Sequence, residues 1–294
     1  MTAGVRNLTK IREGDMNMVI GIIGLGLIGG SFAKAYKTAG HTVYAHDIDA
    51  GITDFAVLSG VADAALDEAA TGLCDLILIA VYPREAVDYL NGAASAIKPG
   101  TFVIDCCGTK RGVCEAGFRA ASRYGFTFVG GHPMAGSEQS GFKHSRADMF
   151  KGASMIIIPP VYDDIKLLDK IKRLLTPAEF GRMTITTAEK HDAMIAFTSQ
   201  MAHLAASAYI KSPTLQAQNG FTAGSFKDMT RVAKCNECMW TELFLENKDN
   251  LLFELDTYIN ALRQYREALD AGDADGLRKL LRDGSRIKEE ADKK

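Results

Sequence analysis

"MVIGIIGLGLIGGSFAKAYKTAG", Met18 to Gly40, passes from an apolar run through a glycine turn into helical spacing that stops at Gly40. Val19 to Ile23 lacks polar alternation, which predicts a strand buried on both faces, the mark of a parallel sheet. Gly24, Gly26 and Gly29 form G-x-G-x-x-G between that strand and a helix beginning near Leu27. The first glycine makes the tight turn, the second admits a pyrophosphate, and the third lets helix and strand pack closely. The first helical turn, with Leu27 and Ile28, offers backbone amides and a positive dipole end to the phosphates. A second strand, "HTVYAHD", ends at Asp47, 18 residues beyond Gly29. A carboxylate there accepts hydrogen bonds from adenosine ribose hydroxyls and repels a 2′-phosphate, which favours NAD over NADP.

Working outward, "CDLILIAV" (74–81), "TFVID" (101–105), "FTFVG" (126–130) and "SMIIIPP" (154–160) read as further buried strands. Helical stretches at 84–96, 111–123 and 163–175 separate them. Alternating strands and helices predict an α/β, doubly wound Rossmann-type dinucleotide-binding domain over residues 18–186. The segments "DCCGTK" (Asp105–Lys110) and "VGGHPMAGSEQSG" (Val129–Gly141) follow such strands and belong on the cofactor side. In the second, His132 sits between Gly131 and Pro133. Glycine lets backbone approach a ligand and proline restricts its own φ and its predecessor, so the imidazole stands on a stiff, bare platform.

After "GRMTITTAEKHD" the strand signals stop, and from Thr187 to about Ala271 the pattern is helical. Residues 187–294 are expected to form an all-helical domain for substrate and dimerisation, because helices apolar on more than one face pack against a partner. His191 and His203 lie 12 residues apart, about 120° around one helix, so they cannot share a metal on one face. For a lone helical histidine, a packed or solvated side chain is the ordinary reading. Lys227 and Arg231 are i and i+4 on one helix, and both cations leave the same face. Asn236 breaks that helix and Trp240 opens the next. Cys235 and Cys238 form one C-x-x-C without two further ligands for zinc, and Cys106–Cys107 reads as a thiol pair at a strand end; no metal site is expected.

Composition sets the outer limits. The 294 residues carry 34 Lys+Arg against 36 Asp+Glu, a net charge of −2, which offers no field for nucleic acid or an anionic membrane. No apolar run is long enough for a membrane span, and residues 1–17 lack the apolar centre of an export signal and read as a flexible tail. Six cysteines are too few for a disulfide scaffold and fit a reducing cytoplasm.

"GIIGLGLIGGSFA", "GGHPMAGSEQSG", "EKHDAM…SQMAH" and "FKDMTRVA…MW" together, in this order, resemble the prephenate and arogenate dehydrogenase family of tyrosine biosynthesis over about Met18 to Glu246. The resemblance implies NAD-dependent oxidative decarboxylation of a cyclohexadienol, the hydroxyl-bearing ring carbon giving up hydride and the opposite carbon losing carbon dioxide. It implies that His132 accepts the hydroxyl proton and that Arg231 clamps a carboxylate. It places Lys227, His203 and Trp240 in the substrate pocket, Ser137 and Glu138 on its rim, and Lys110 with the cofactor residues. One departure is Gly108, which stands where many members of the family carry serine; either Thr109 (a neighbouring hydroxyl) or a water substitutes, or His132 works without that helper. Neither a mutase domain nor a C-terminal regulatory domain is expected beside the helical one.

Two rivals stand beside this reading. A β-hydroxyacid or imine dehydrogenase on the same plan would use a lysine–asparagine pair on the first inter-domain helix, where this chain has "EKHDAMIAFTSQ". A non-catalytic NAD sensor would need no convergence of His132, Lys227 and Arg231. Between the two family substrates, Lys227 on the pocket face would repel the ammonium of arogenate, and Asp228, about 100° away, would not compensate. The expected substrate is therefore prephenate.

Overall fold

The computed structural model describes residues 17–137 and 139–293. Glu138 and, apart from Asn17, the tail expected over 1–17 lie outside them. The chain divides into two compact units, one ending at Asp192 and the other beginning at Ala193. His191 and Asp192, just beyond the boundary expected at 187, stay with the sheet unit.

The first unit follows the alternation in the sequence: β1 (Val19–Ile23), α1 (Leu27–Thr38), β2 (Thr42–His46), α2 (Ala50–Leu58), β3 (Ala64–Ala65), α3 (Glu68–Thr71), β4 (Leu76–Ile79), α4 (Pro83–Gly92), β5 (Phe102–Asp105), α5 (Arg111–Tyr124), β6 (Thr127–Met134), β7 (Ser154–Ile158), α6 (Ile165–Leu174) and β8 (Arg182–Ile185). They build one eight-stranded sheet in the order β3-β2-β1-β4-β5-β6-β7-β8. Side chains alternate across it: Ile20, Ile22, Leu76 and Leu78 enter one core, while Ile23, Ile77 and Ile79 enter another. Both faces are covered, which is why these strands show no polar alternation. Each such fully buried side chain contributes about 1.5–3 kcal/mol.

Two features depart from the sequence reading. The sheet is not parallel throughout, since β7 runs antiparallel to β6. The strand expected at 126–130 also continues through Met134, so His132 lies within β6, opposite Ile156, rather than in a loop after it. The reason is local. Pairing of β6 with β5 ends at Ile104↔Val129, and beyond that point β6 pairs only with β7. One edge is open there, where proline's missing N–H removes no ladder bond.

The second unit takes the end of α7 (Ala188–Ile195), a π turn over Ala196–Gln200, α8 (Met201–Tyr209), α9 (Gly224–Thr230), α10 (Glu237–Glu246), α11 (Lys248–Asp270) and α12 (Ala274–Asp292). Helix extends past the expected limit near Ala271. Alpha11 buries only Leu251 and α12 no residue at all, while Phe253, Leu262, Leu269 and Leu281 stand exposed. No described helix is long and apolar enough to cross a membrane.

Candidate active site

The open edge of β6 explains how His132 is fixed. Its neighbour Gly131 has lost ladder partners, and two side chains replace them: the Gly131 amide donates to Asp105 Oδ1 at 3.1 Å, and Lys110 Nζ donates to the Gly131 carbonyl at 2.6 Å. Lys110 also pairs with Asp105, and both side chains are wholly buried. Burial opposes the Lys110 charge most strongly of any single cause, but Asp105 together with the nearby Cys107 and Cys114 outweighs it and raises the pKa. A Cβ on residue 131 would strike the Asp105 carbonyl, so only glycine lets β6 approach β5 so closely. Asp105 Oδ2 accepts the Cys107 amide as well, at 2.9 Å.

On the imidazole itself, His132 Nδ1 lies 2.8 Å from His191 Nε2, and His191 Nδ1 lies 2.7 Å from Asp192 Oδ1. Asp192 in turn accepts the backbone amides of Lys110 at 2.7 Å and Arg111 at 3.0 Å, capping α5 from another helix. Burial works to raise the Asp192 pKa, but the bond from His191 and those amides bring it below the ordinary value. Burial holds both imidazoles down: His132 well below 6.5, with His191 and Lys110 adding to the effect, and His191 less so. Both are neutral near pH 7, the state in which an imidazole can accept a proton.

The glycine turn fits a dinucleotide. Gly24 adopts φ +86, a Cβ at Gly29 would collide with the Gly24 carbonyl, and a Cβ at Gly26 would meet nothing, so the cradle over α1 is open. Gly26 caps α1 without a side-chain bond, leaving the first-turn amides of Leu27 and Ile28 to a ligand. Asp47 ends β2 half-buried; Oδ2 accepts the Leu25 amide at 2.7 Å and Oδ1 the Asp49 amide at 3.0 Å, which ties the acid to the glycine loop. Lys110 cannot touch a cofactor from its buried position, and its role here is to hold Gly131. Ser137 is exposed, its Oγ donating to the Gln139 carbonyl at 2.7 Å. Thr109 is buried at 3% exposure. Cys107 is buried and Cys106 half-buried, and both thiol pKa values are pushed up by burial, so neither is a reactive thiolate.

The second unit carries the other expected residues. His203 stacks on Trp240 with ring centroids 3.8 Å apart, and Trp240 packs against Phe244. Burial and the nearby Arg231 charge lower the His203 pKa, and its buried Nδ1 has no partner among the described residues. Asn236 caps α10 by accepting the Met239 amide, so that helix opens at Glu237 rather than at Trp240 as expected. The shared face of Lys227 and Arg231 needs correction. Alpha9 ends at Thr230 and Arg231 opens a 3₁₀ turn, in which residues three apart eclipse. Asp228 and Arg231, three apart and so neighbours on the helix surface, line one cavity of about 590 Å³ with Phe197, Met201 and Met229, and Lys227 is not among its lining residues.

Comparison with known proteins decides the family. Residues 32–182 match the model described as "Prephenate dehydrogenase, nucleotide-binding domain", and residues 187–283 match "Prephenate dehydrogenase, dimerization domain". The chain belongs to the prephenate dehydrogenase family. A prephenate dehydrogenase of Bacillus subtilis is 32% identical over 90% of this chain and 73% of its own. A cyclohexadienyl dehydrogenase of Zymomonas mobilis is 30% identical over 88% and 90%. Among solved structures, a prephenate dehydrogenase from A. aeolicus, in complex with hydroxyphenyl propionate and NAD+, superposes with a TM-score of 0.80 at 26% identity, covering 94% of this chain and 99% of that one. Against this family frame, the residue that sequence reading left out of the site is His191. Its partner on β6 is 59 positions away, so no local spacing could reveal the pair.

Proposed function

We propose that this chain oxidises and decarboxylates prephenate with NAD as the hydride acceptor, yielding 4-hydroxyphenylpyruvate for tyrosine synthesis, and that it works as a homodimer through its helical unit. The observation that carries the reading is a neutral His132, bonded through Nδ1 and held by its backbone at the sheet edge. The glycine turn and Asp47 would hold NAD, which would supply the hydride acceptor for the hydroxyl-bearing ring carbon. His132 takes the hydroxyl proton, which pushes electrons toward hydride loss. The carboxylate on the opposite carbon leaves as carbon dioxide and its bonding electrons complete the aromatic ring. The proton then returns from His132 to the same oxygen, now phenolic, so no net proton is released. Arg231 takes a substrate carboxylate with its planar fork. The family resemblance assigns His203, Trp240, Lys227, Ser137 and Glu138 to substrate binding.

NAD is supported by Asp47 at the end of β2 and by the cofactor in the A. aeolicus complex. The dimer is supported by the unburied apolar residues of α11 and α12 and by the family name of the domain. Six free cysteines suit a reducing cytoplasm.

A second substrate has one observation in its favour. Asp228, not Lys227, shares the cavity with Arg231, and a carboxylate there would welcome the ammonium of arogenate. The names of the Bacillus and Zymomonas relatives weigh toward prephenate and a broader cyclohexadienyl range. Measuring kcat/KM for prephenate and arogenate on one preparation tests the choice. A clear preference for prephenate is expected, and a clear preference for arogenate would overturn it and credit Asp228.

A further inference from the structure

The chain of contacts from Asp192 through His191 to His132 carries information about where protons sit. Asp192 faces donors on every side: the Lys110 and Arg111 amides and Arg111 Nε at 3.2 Å. A carboxyl group so placed is ionised and can only accept. The 2.7 Å contact therefore puts a proton on His191 Nδ1. In a neutral imidazole the other nitrogen is then bare, so His191 Nε2 is an acceptor. The 2.8 Å contact to His132 Nδ1 needs a donor, and that donor is His132. His132 must carry its proton on Nδ1, leaving Nε2 with a free lone pair. No described residue hydrogen-bonds Nε2.

We infer that His191, anchored by Asp192, is a positioning residue that selects the His132 tautomer whose Nε2 accepts the substrate proton. The inference rests on His132 being the proton acceptor of the proposed reaction. When Nε2 takes the hydroxyl proton, no proton need leave Nδ1; the new positive charge is met by His191 Nε2 and, beyond it, by the Asp192 carboxylate. When the proton returns to the phenolic oxygen, both imidazoles are neutral again. The other charged groups facing this chain are Lys110 and Asp105, which neutralise one another, and Arg111, which is bound to Asp192. Burial keeps His191 neutral, which preserves its Nε2 as an acceptor. A cationic His191 would reverse the donor and acceptor roles and block Nε2 of His132.

Two measurements test this, one of them independent of turnover. In protein labelled with ¹⁵N at its six histidines, with His132→Asn and His191→Gln giving the assignments, the wild type is expected to show His132 with a protonated Nδ1 and a bare Nε2. His132 protonated at Nε2 would overturn the inference whatever the substrate proves to be. The kinetic arm compares His191→Leu, which cannot accept a bond, with His191→Gln, whose amide oxygen can. The leucine variant is expected to lose roughly 10²- to 10⁴-fold in kcat, the cost of a wrong tautomer, with KM for both ligands within about threefold of wild type. The glutamine variant should recover most of that loss. Equal kcat in wild type and leucine variant, or equal damage in both variants, would overturn it. A wild type without turnover on any cyclohexadienol would refute the proposed function and leave the tautomer measurement standing.

Discussion

The strand end around His132 and the cationic turn around Arg231 are built to opposite rules. At the first, Lys110, Asp105 and Asp192 are essentially without exposure, and each charge has a partner. At the second, Lys227, Asp228 and Arg231 are exposed, and α9 buries no residue. A buried network of this kind is rigid, because removing one member leaves an uncompensated charge. Exposed cations cost little to rearrange and are free to serve a ligand. The difference separates two duties. On the proposed reading, the strand end holds the proton acceptor in one geometry, where a small displacement would cost much rate. On the same reading the turn supplies binding, which can adapt.

The contrast is sharpest at its two lysines. Lys110→Met should destabilise the fold by about 3–5 kcal/mol, since Asp105 is left buried and unpaired. Lys227→Met should change stability by no more than about 0.5 kcal/mol. Urea unfolding of both variants reads the difference, and equal losses would break the comparison. Next in size is Arg231→Ala, expected to raise substrate KM by about ten- to a hundredfold with kcat within a few-fold, as loss of uniform binding does. Steady-state kinetics checks it, and a loss confined to kcat would move Arg231 into the chemistry.

The smallest effect is in pH dependence. His132 and His191 have folded pKa values below 6.5, so the unfolded chain binds more protons as pH falls through that value. Stability is therefore complete above about pH 6.5 and falls below it, by at most about 1.4 kcal/mol per pH unit for each imidazole. Asp192, lowered from 3.8, adds stability that is lost only at still lower pH. Unfolding midpoints between about pH 7 and pH 5 should show the decline, and His191→Gln should shrink it.

The sheet was legible because each of its signals is local. Val19–Ile23, the glycine turn and Asp47 stand in sequence order, and the uninterrupted apolar strands announce two covered faces. His132 stood out as a candidate for the same reason, its glycine and proline neighbours being adjacent. What the sequence hid is tertiary. The continuation of β6 past Val129 depends on where β5 stops, and the partnership of His132 with His191 joins a strand to a helix. The resemblance put Lys110 with the cofactor residues, yet its ammonium turns inward to Asp105 and the Gly131 carbonyl. Asp228 and Arg231 line one cavity as neighbours three apart, a pairing that reading Lys227 with Arg231 at i and i+4 passed over.

The central claim is that His132 takes the proton in an oxidative decarboxylation. Its most direct test is to add prephenate and NAD to the purified wild type and to His132→Asn and follow NADH and carbon dioxide together. The account predicts equal amounts of both from the wild type. It predicts a loss of about two to four decades in kcat for the variant, with unchanged folding and ligand binding. NADH without carbon dioxide, or a variant as fast as the wild type, would contradict it.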